Sequence, residues 1–227
     1  IFMLAVPMML EMGMESVFAV VDIFFVGKLG PNAAATVGLT ESFLTIIYSI
    51  AIGLSMAATA MVARRVGEKN PEGAARAGAQ ALLLCAVASI LISIAGFIFS
   101  EDILRLMGAS EELIANGKTY TRTMLTGNIV IMLLFLINGI FRGAGDASIA
   151  MRSLIIANGC NIVLCPVLIN GVGPIPAFGV TGAAMATAIG RSIGVLYQLY
   201  HLFNAKSVVR LTKASLKAEW DIIKSIF

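Results

Sequence analysis

Three carboxyl groups within the first 22 residues are the side chains best spaced to do chemistry. Glu11, Glu15 and Asp22 are four and seven residues apart. At about 100° per residue, a helix brings all three within roughly 40° of one another. Phe18 falls on the same stripe, and the residues around it are apolar. An ionised carboxyl facing lipid is costly, so this stripe must line a protein interior or a wet cavity. The chemistry open to it there is reversible neutralisation, by a proton or by a bound cation. For Glu11 at one end and Asp22 at the other, plain solvation at a membrane interface is the competing reading.

A second polar stripe lies further on. Asn158, Asn161 and Cys165 fall at i, i+3 and i+7, one face of a helix. Pro166 follows and has no N–H to offer the carbonyl of Ile162. A freed carbonyl and two amides suit a cation or a proton-carrying water. Without the proline, helix-to-helix glue would be the better account of the asparagines. Gly182, Ala186, Gly190 and Gly194 recur every four residues and read as a packing ridge. Thr187 lies beside that ridge, within reach of a site. Asn138 is four residues before Arg142, so the two are expected to pair. The only histidine, His201, makes no metal site by itself, and no H-E-x-x-H, Walker or G-x-S-x-G motif appears. No cofactor or resident metal is therefore expected, and "GVGPIP" is read as a link rather than a phosphate cradle.

The elements that must hold these residues are set by composition. Of 227 residues, 59% are hydrophobic and only 13% charged. A soluble domain carries about a quarter charged residues, so lipid must cover much of this surface. Six apolar stretches are long enough to cross a bilayer, at roughly 1–27, 40–63, 75–99, 118–141, 149–171 and 178–203. None shows the alternation of a membrane strand. The sequence therefore predicts an all-α membrane protein, a six-transmembrane-helix bundle spanning residues 1–204. Bends are expected at Pro7 in span 1 and Pro166 in span 5. Residues 205–227 read as an amphipathic linker entering a seventh helix. Eleven of the 16 lysines and arginines lie after spans 2, 4 and 6. This places those links and the N-terminus in the cytoplasm, with the protein in the cytoplasmic (inner) membrane. There is no basic stripe interleaved with aromatics, so nucleic acid is not an expected partner. Cys85, Cys160 and Cys165 lie in apolar runs and read as small buried residues without a disulfide. The first residue is Ile, and the chain reads as a fragment cut at both ends.

The sequence resembles the N-terminal half of a multidrug and toxic compound extrusion (MATE) transporter. The resemblance rests on "AVPMMLE" and "VVDIFFVGKLGPNAAATVGL" in span 1 and after it, and on "ARRVGEKNPEGAAR" after span 2. It continues in "INGIFRGAGDAS" at the end of span 4 and "NIVLCPVLINGVGPIPAFGVTGAAMAT" across spans 5 and 6. It implies the first lobe of a twelve-helix, two-lobe antiporter, working with a C-terminal lobe. Proton or sodium binding would be exchanged for small organic cations across the lipid bilayer. In archaeal and some bacterial members the N-lobe cation site uses an aspartate of helix 1, an asparagine and an aspartate of helix 5, and a threonine of helix 6. Those positions correspond to Asp22, Asn161, Cys165 and Thr187. Cys165 departs from the pattern, which leaves the site one carboxylate short. That favours a single proton over tight sodium binding, with Glu15 as relay and Glu11 further along the stripe.

Two other functions are open. A lipid-linked precursor flippase of the same superfamily would need a cavity with several arginines, and the spans offer few beyond Arg191. A membrane scaffold or enzyme subunit would need histidine pairs or cysteine clusters, which are absent.

Overall fold

The structure is a computed structural model that describes residues 2–203, with side chains described from Ala5 onward. Seven helices follow in order: α1 (Phe2–Gly27), α2 (Pro31–Gly67), α3 (Pro71–Leu106), α4 (Glu111–Thr126), α5 (Asn128–Gly143), α6 (Ala147–Asn170) and α7 (Val180–Phe203). They match the six expected spans, with span 4 divided into α4 and α5 at Gly127. The expected linker at 205–227 lies outside the described residues. The protein is an all-α membrane protein. By length and apolarity, α2, α3, α4 with α5, and α6 each suffice to cross a bilayer, and α1 and α7 complete the bundle.

Helix starts follow local chemistry. Pro31 and Pro71 each open a helix, where a missing N–H costs nothing. Asn70 caps α3 by accepting from Gly73 N at 2.8 Å. Ser110 caps α4 through Leu113 N, with Glu111 and Glu112 in the first turn. α2 runs 37 residues and α3 36, or about 55 Å each at 1.5 Å per residue. Both therefore reach well beyond the hydrocarbon core.

α5 is buried on nearly every side and forms the centre of the bundle. Small residues set its distance from α2. A Cβ on Gly143 would lie 2.6 Å from the carbonyl of Thr59. Ser55 and Thr59 donate across this contact to the carbonyls of Phe135 (2.8 Å) and Gly139 (2.9 Å). The small-residue ridge of α7 packs on α6 as its spacing predicted. A Cβ on Gly190 would lie 2.6 Å from the carbonyl of Ala157, and one on Gly182 would overlap the carbonyl of Leu168.

The "GVGPIP" link folds back on the end of α6. Gly171 takes φ +74°, and a Cβ there would meet Ala177 N at 2.7 Å. The N–H groups of Phe178 and Gly179 then donate to the carbonyls of Leu168 and Ile169. The link's donors thus serve as a helix cap. Its single Val172–Ile175 bridge is the only β pairing among the described residues.

The two prolines at which bends were expected both lie within continuous helices. Pro7 and Pro166 sit inside α1 and α6, and neither helix has a non-helical residue there. Tight packing of α6 against α7 and α1 holds it continuous despite the missing donor. Among the described helices, non-helical backbone angles interrupt α3 at Phe99 (φ −100°, ψ 16°).

Candidate functional site

α1 has two chemically distinct sides. Met9, Met12, Val20 and Ile23 are exposed, whereas Glu11, Glu15 and Asp22 turn towards other helices of the bundle. The spacing argument therefore holds for the direction of the carboxyl stripe. Its three members enter two separate clusters.

The first cluster gathers on Glu11, which is 7% exposed. Its Oε1 accepts from Asn138 Nδ2 and from Arg142 Nη1, both at 3.2 Å. Asn138 and Arg142 thus converge on a common acceptor and are not joined to each other as the four-residue spacing suggested. Asn138 Oδ1 in turn accepts from Gln198 Nε2 and from Ser153 Oγ (3.4 Å). Arg142 Nη2 donates to Ser55 Oγ at 3.2 Å. Side chains of α1, α2, α5, α6 and α7 are tied together by this network. Asn158 adds a further tie, donating from Nδ2 to the carbonyl of Met14 at 3.0 Å.

The second cluster surrounds a cavity of about 270 Å³ between α1, α2, α4, α5 and α7. Its wall carries the carboxyls of Glu15, Asp22 and Glu41, the guanidinium of Arg191 and the hydroxyl of Thr187. Phe18, Tyr48 and Phe135 supply aromatic surface. Arg191 is 6% exposed and bridges both oxygens of Glu15, each at 3.3 Å. Its Cζ stacks 4.9 Å from the centre of the Phe18 ring. Asn161 stands one hydrogen bond behind the wall, donating from Nδ2 to Thr187 Oγ1 at 3.1 Å, and its buried Oδ1 has no partner among the described residues. On the α6 side, Cys165 Sγ lies 4.0 Å from Asp22 Oδ1, a weak thiol-to-carboxylate contact. Asp22 makes no ion pair among the described residues. Among those residues, no group of three or more His, Cys, Asp or Glu could hold a metal ion.

Comparison with known proteins accounts for the architecture. Residues 7–167 match the profile of the MatE family. The chain belongs to this family. The "Probable multidrug resistance protein YoeA" of Bacillus subtilis is 30% identical over 209 residues, 92% of this chain and 45% of that protein. The "FAD transporter" of Shewanella oneidensis is 33% identical over 170 residues, 75% of this chain and 38% of its own length. A solved MOP-superfamily transporter from Pyrococcus furiosus shares 33% identity at a TM-score of 0.90, covering 99% of this chain and 49% of that one. The chain spans about half the length of the MatE relatives it matches.

The structure brings Asp22, Glu15 and Thr187 to one cavity, with Asn161 and Cys165 immediately behind. It sends Glu11 and Asn138 to the other cluster. The sequence reading missed Glu41 and the partnership of Arg191 with Glu15. Val37, Glu41 and Tyr48 are spaced by four and seven residues along α2 and share the cavity wall. That spacing was the available signal.

Proposed function

We propose that this chain is the N-terminal lobe of a cation-coupled secondary antiporter. It would export small organic cations across the cytoplasmic membrane by alternating access, working with a C-terminal lobe. The N-terminus and the linker after α7 would face the cytoplasm. The coupling carboxyl in this reading is Asp22, with Asn161 and Thr187 as neutral partners.

The observation that carries the proposal is the setting of Asp22. It lines a cavity without an ion-pair partner among the described residues, beside a Thr187–Asn161 hydrogen bond and a thiol in place of a second carboxyl. Such a group can be neutralised by a proton, or by sodium, in one state of access and released in the other. A ligand drives a two-state protein only through unequal affinity for the two states. With Cys165 offering no anionic oxygen, the proton is the better fit, because sodium prefers more oxygen ligands. Glu15 is held by Arg191 in this state and would relay charge only when that bridge opens.

The charge of the cavity supports a cationic cargo. Among its described lining residues, three carboxyls stand against one arginine, and that arginine is already matched. A polyanionic substrate, such as a lipid-linked precursor, finds no arginine cluster here.

The test is efflux of a cationic dye from cells expressing the full-length protein under an imposed pH gradient. Asp22→Asn should abolish gradient-driven efflux. Wild-type efflux from that variant at every pH would overturn the proposal.

A further inference from the structure

We propose that Glu41 recognises the positive charge of the transported molecule, a duty separate from the ion coupling assigned to Asp22. The inference rests on reading this cavity as the transport site. Its ligand class is a delocalised, aryl-bearing organic monocation.

The three carboxyls of the cavity differ in what already satisfies them. Glu15 is matched by Arg191 through two contacts of 3.3 Å. Asp22 has the Cys165 thiol at 4.0 Å. Among the described residues no donor reaches the Glu41 side chain, although its main-chain carbonyl accepts from Thr45 Oγ1 at 2.9 Å. Glu41 lies near the end of its helix's third turn, ten residues beyond Pro31, and is half-buried on the cavity wall. It is therefore not at a helix end where bulk water could hydrate it freely.

The cavity also displays how it holds a delocalised cation. The Arg191 guanidinium is stacked on Phe18 and bridged to Glu15. A planar, weakly hydrated charge is well suited to a ring face and a carboxylate together. Glu41 and the aromatic pair Tyr48–Phe135 put the same two ingredients on the wall of this cavity, and among the described residues no cation stacks on that pair. Their ring centres are 6.2 Å apart at an interplanar angle of 52°. Tyr48 stands seven residues from Glu41, on the same face of α2. A cation placed between Glu41 and Asp22 also relieves the repulsion between two like charges lining one cavity.

The test measures equilibrium binding to the purified full-length protein at fixed pH. The probes are tetraphenylphosphonium and the uncharged triphenylphosphine oxide. Glu41→Gln should weaken tetraphenylphosphonium at least about tenfold, the scale of losing one carboxylate's Coulombic attraction in a partly desolvated cavity, and leave the neutral probe within about twofold. Glu41→Asp should retain most of the cation affinity. Unchanged cation binding in Glu41→Gln, or equal losses for both probes, would overturn the inference. A second measurement needs no variant. Carbodiimide labelling of Glu41 in the wild type, read by mass spectrometry, should be slowed by tetraphenylphosphonium and not by the neutral probe. Labelling that the cation does not slow would also overturn it. If Asp22→Asn loses gradient-driven efflux while Glu41→Gln binds the cation normally, the inference fails and the transport reading stands. A protein that neither effluxes dye nor binds the cation overturns both.

Discussion

Arg191 of α7 and Glu15 of α1 meet through two contacts, both 3.3 Å long, across 176 residues of sequence. The arginine side chain is 7% exposed and the glutamate side chain 29%. The pair fixes one edge of the cavity, and among the described residues its other two carboxyls have no arginine of their own. Their stabilities are unequal in a predictable way. Glu15→Gln strands a buried guanidinium whose Nε already has no partner among the described residues, and should cost about 3 kcal/mol. Arg191→Gln should cost less, since the freed carboxylate is better hydrated. The double variant should lose less than the sum of the two. Thermal melting of the purified full-length protein checks this, and strictly additive losses would refute the pairing.

The close approach of α6 and α7 gives a paired test on two glycines. A Cβ at Gly190 would lie 2.6 Å from the Ala157 carbonyl, a main-chain atom that cannot swing aside. Gly190→Ala should therefore destabilise by about 1–3 kcal/mol. Gly159, inside α6, has nothing within 4 Å of its would-be Cβ. Gly159→Ala should be neutral or stabilise by up to about 1 kcal/mol, through helix propensity. Equal melting shifts for the two variants would contradict the packing described.

These contrasts show what local sequence can and cannot reveal. Helix class and the packing ridge of α7 follow from periodicity, which is a property of a few consecutive turns. The carboxyl stripe of α1 is also such a property, and its direction was legible. Its partners were not, because Asn138, Arg142 and Arg191 come from helices brought to α1 only by the tertiary fold. Asn138 and Arg142 illustrate the point, since their helical spacing allowed a direct pair but Glu11 offers both a stronger, charged acceptor. Glu41 was lost for another reason. The second span was started at residue 40, whereas the helix begins at Pro31. A carboxyl at a supposed boundary attracts no attention, while one ten residues inside a membrane helix does. The uninterrupted helices at Pro7 and Pro166 reflect neighbours that keep a helix continuous with one bond missing.

The turn between α2 and α3 carries a pH dependence of known sign. Hydrogen bonds from Arg64 and Arg65 hold the exposed Glu68 carboxyl below its ordinary value of 4.5. A carboxyl depressed in the folded state adds stability above its unfolded value. That contribution is lost as the pH falls through the folded one. Amide exchange across residues 64–70, corrected for intrinsic rates, should therefore be constant from pH 7 to 5 and accelerate below about pH 4. In Glu68→Gln the acid-side acceleration should vanish. An unchanged profile in that variant would show that the bridges do not steady the turn.

Cys165 tests the choice of coupling ion most directly. Its sulfur is buried and stands 4.0 Å from Asp22 Oδ1, on the helix that also supplies Asn161. A neutral thiol adds neither anionic charge nor a hard oxygen ligand, so one bound proton can neutralise Asp22 by itself. Cys165→Asp would place a second carboxyl against the first. Two adjacent carboxylates repel, and either a shared proton or a bound cation relieves the repulsion. Sodium then gains an extra oxygen ligand, with the unpartnered Asn161 Oδ1 nearby as a neutral donor. Wild-type efflux should depend on the pH gradient and be indifferent to sodium. Cys165→Asp should acquire a sodium requirement, visible as efflux that rises with an inward sodium gradient at constant pH. Cys165→Asn serves as the control, with similar size and an amide oxygen but no charge, and should remain sodium-indifferent. Sodium dependence in the wild type, or an equal gain in both variants, would refute the account of Cys165 as the residue that sets proton preference.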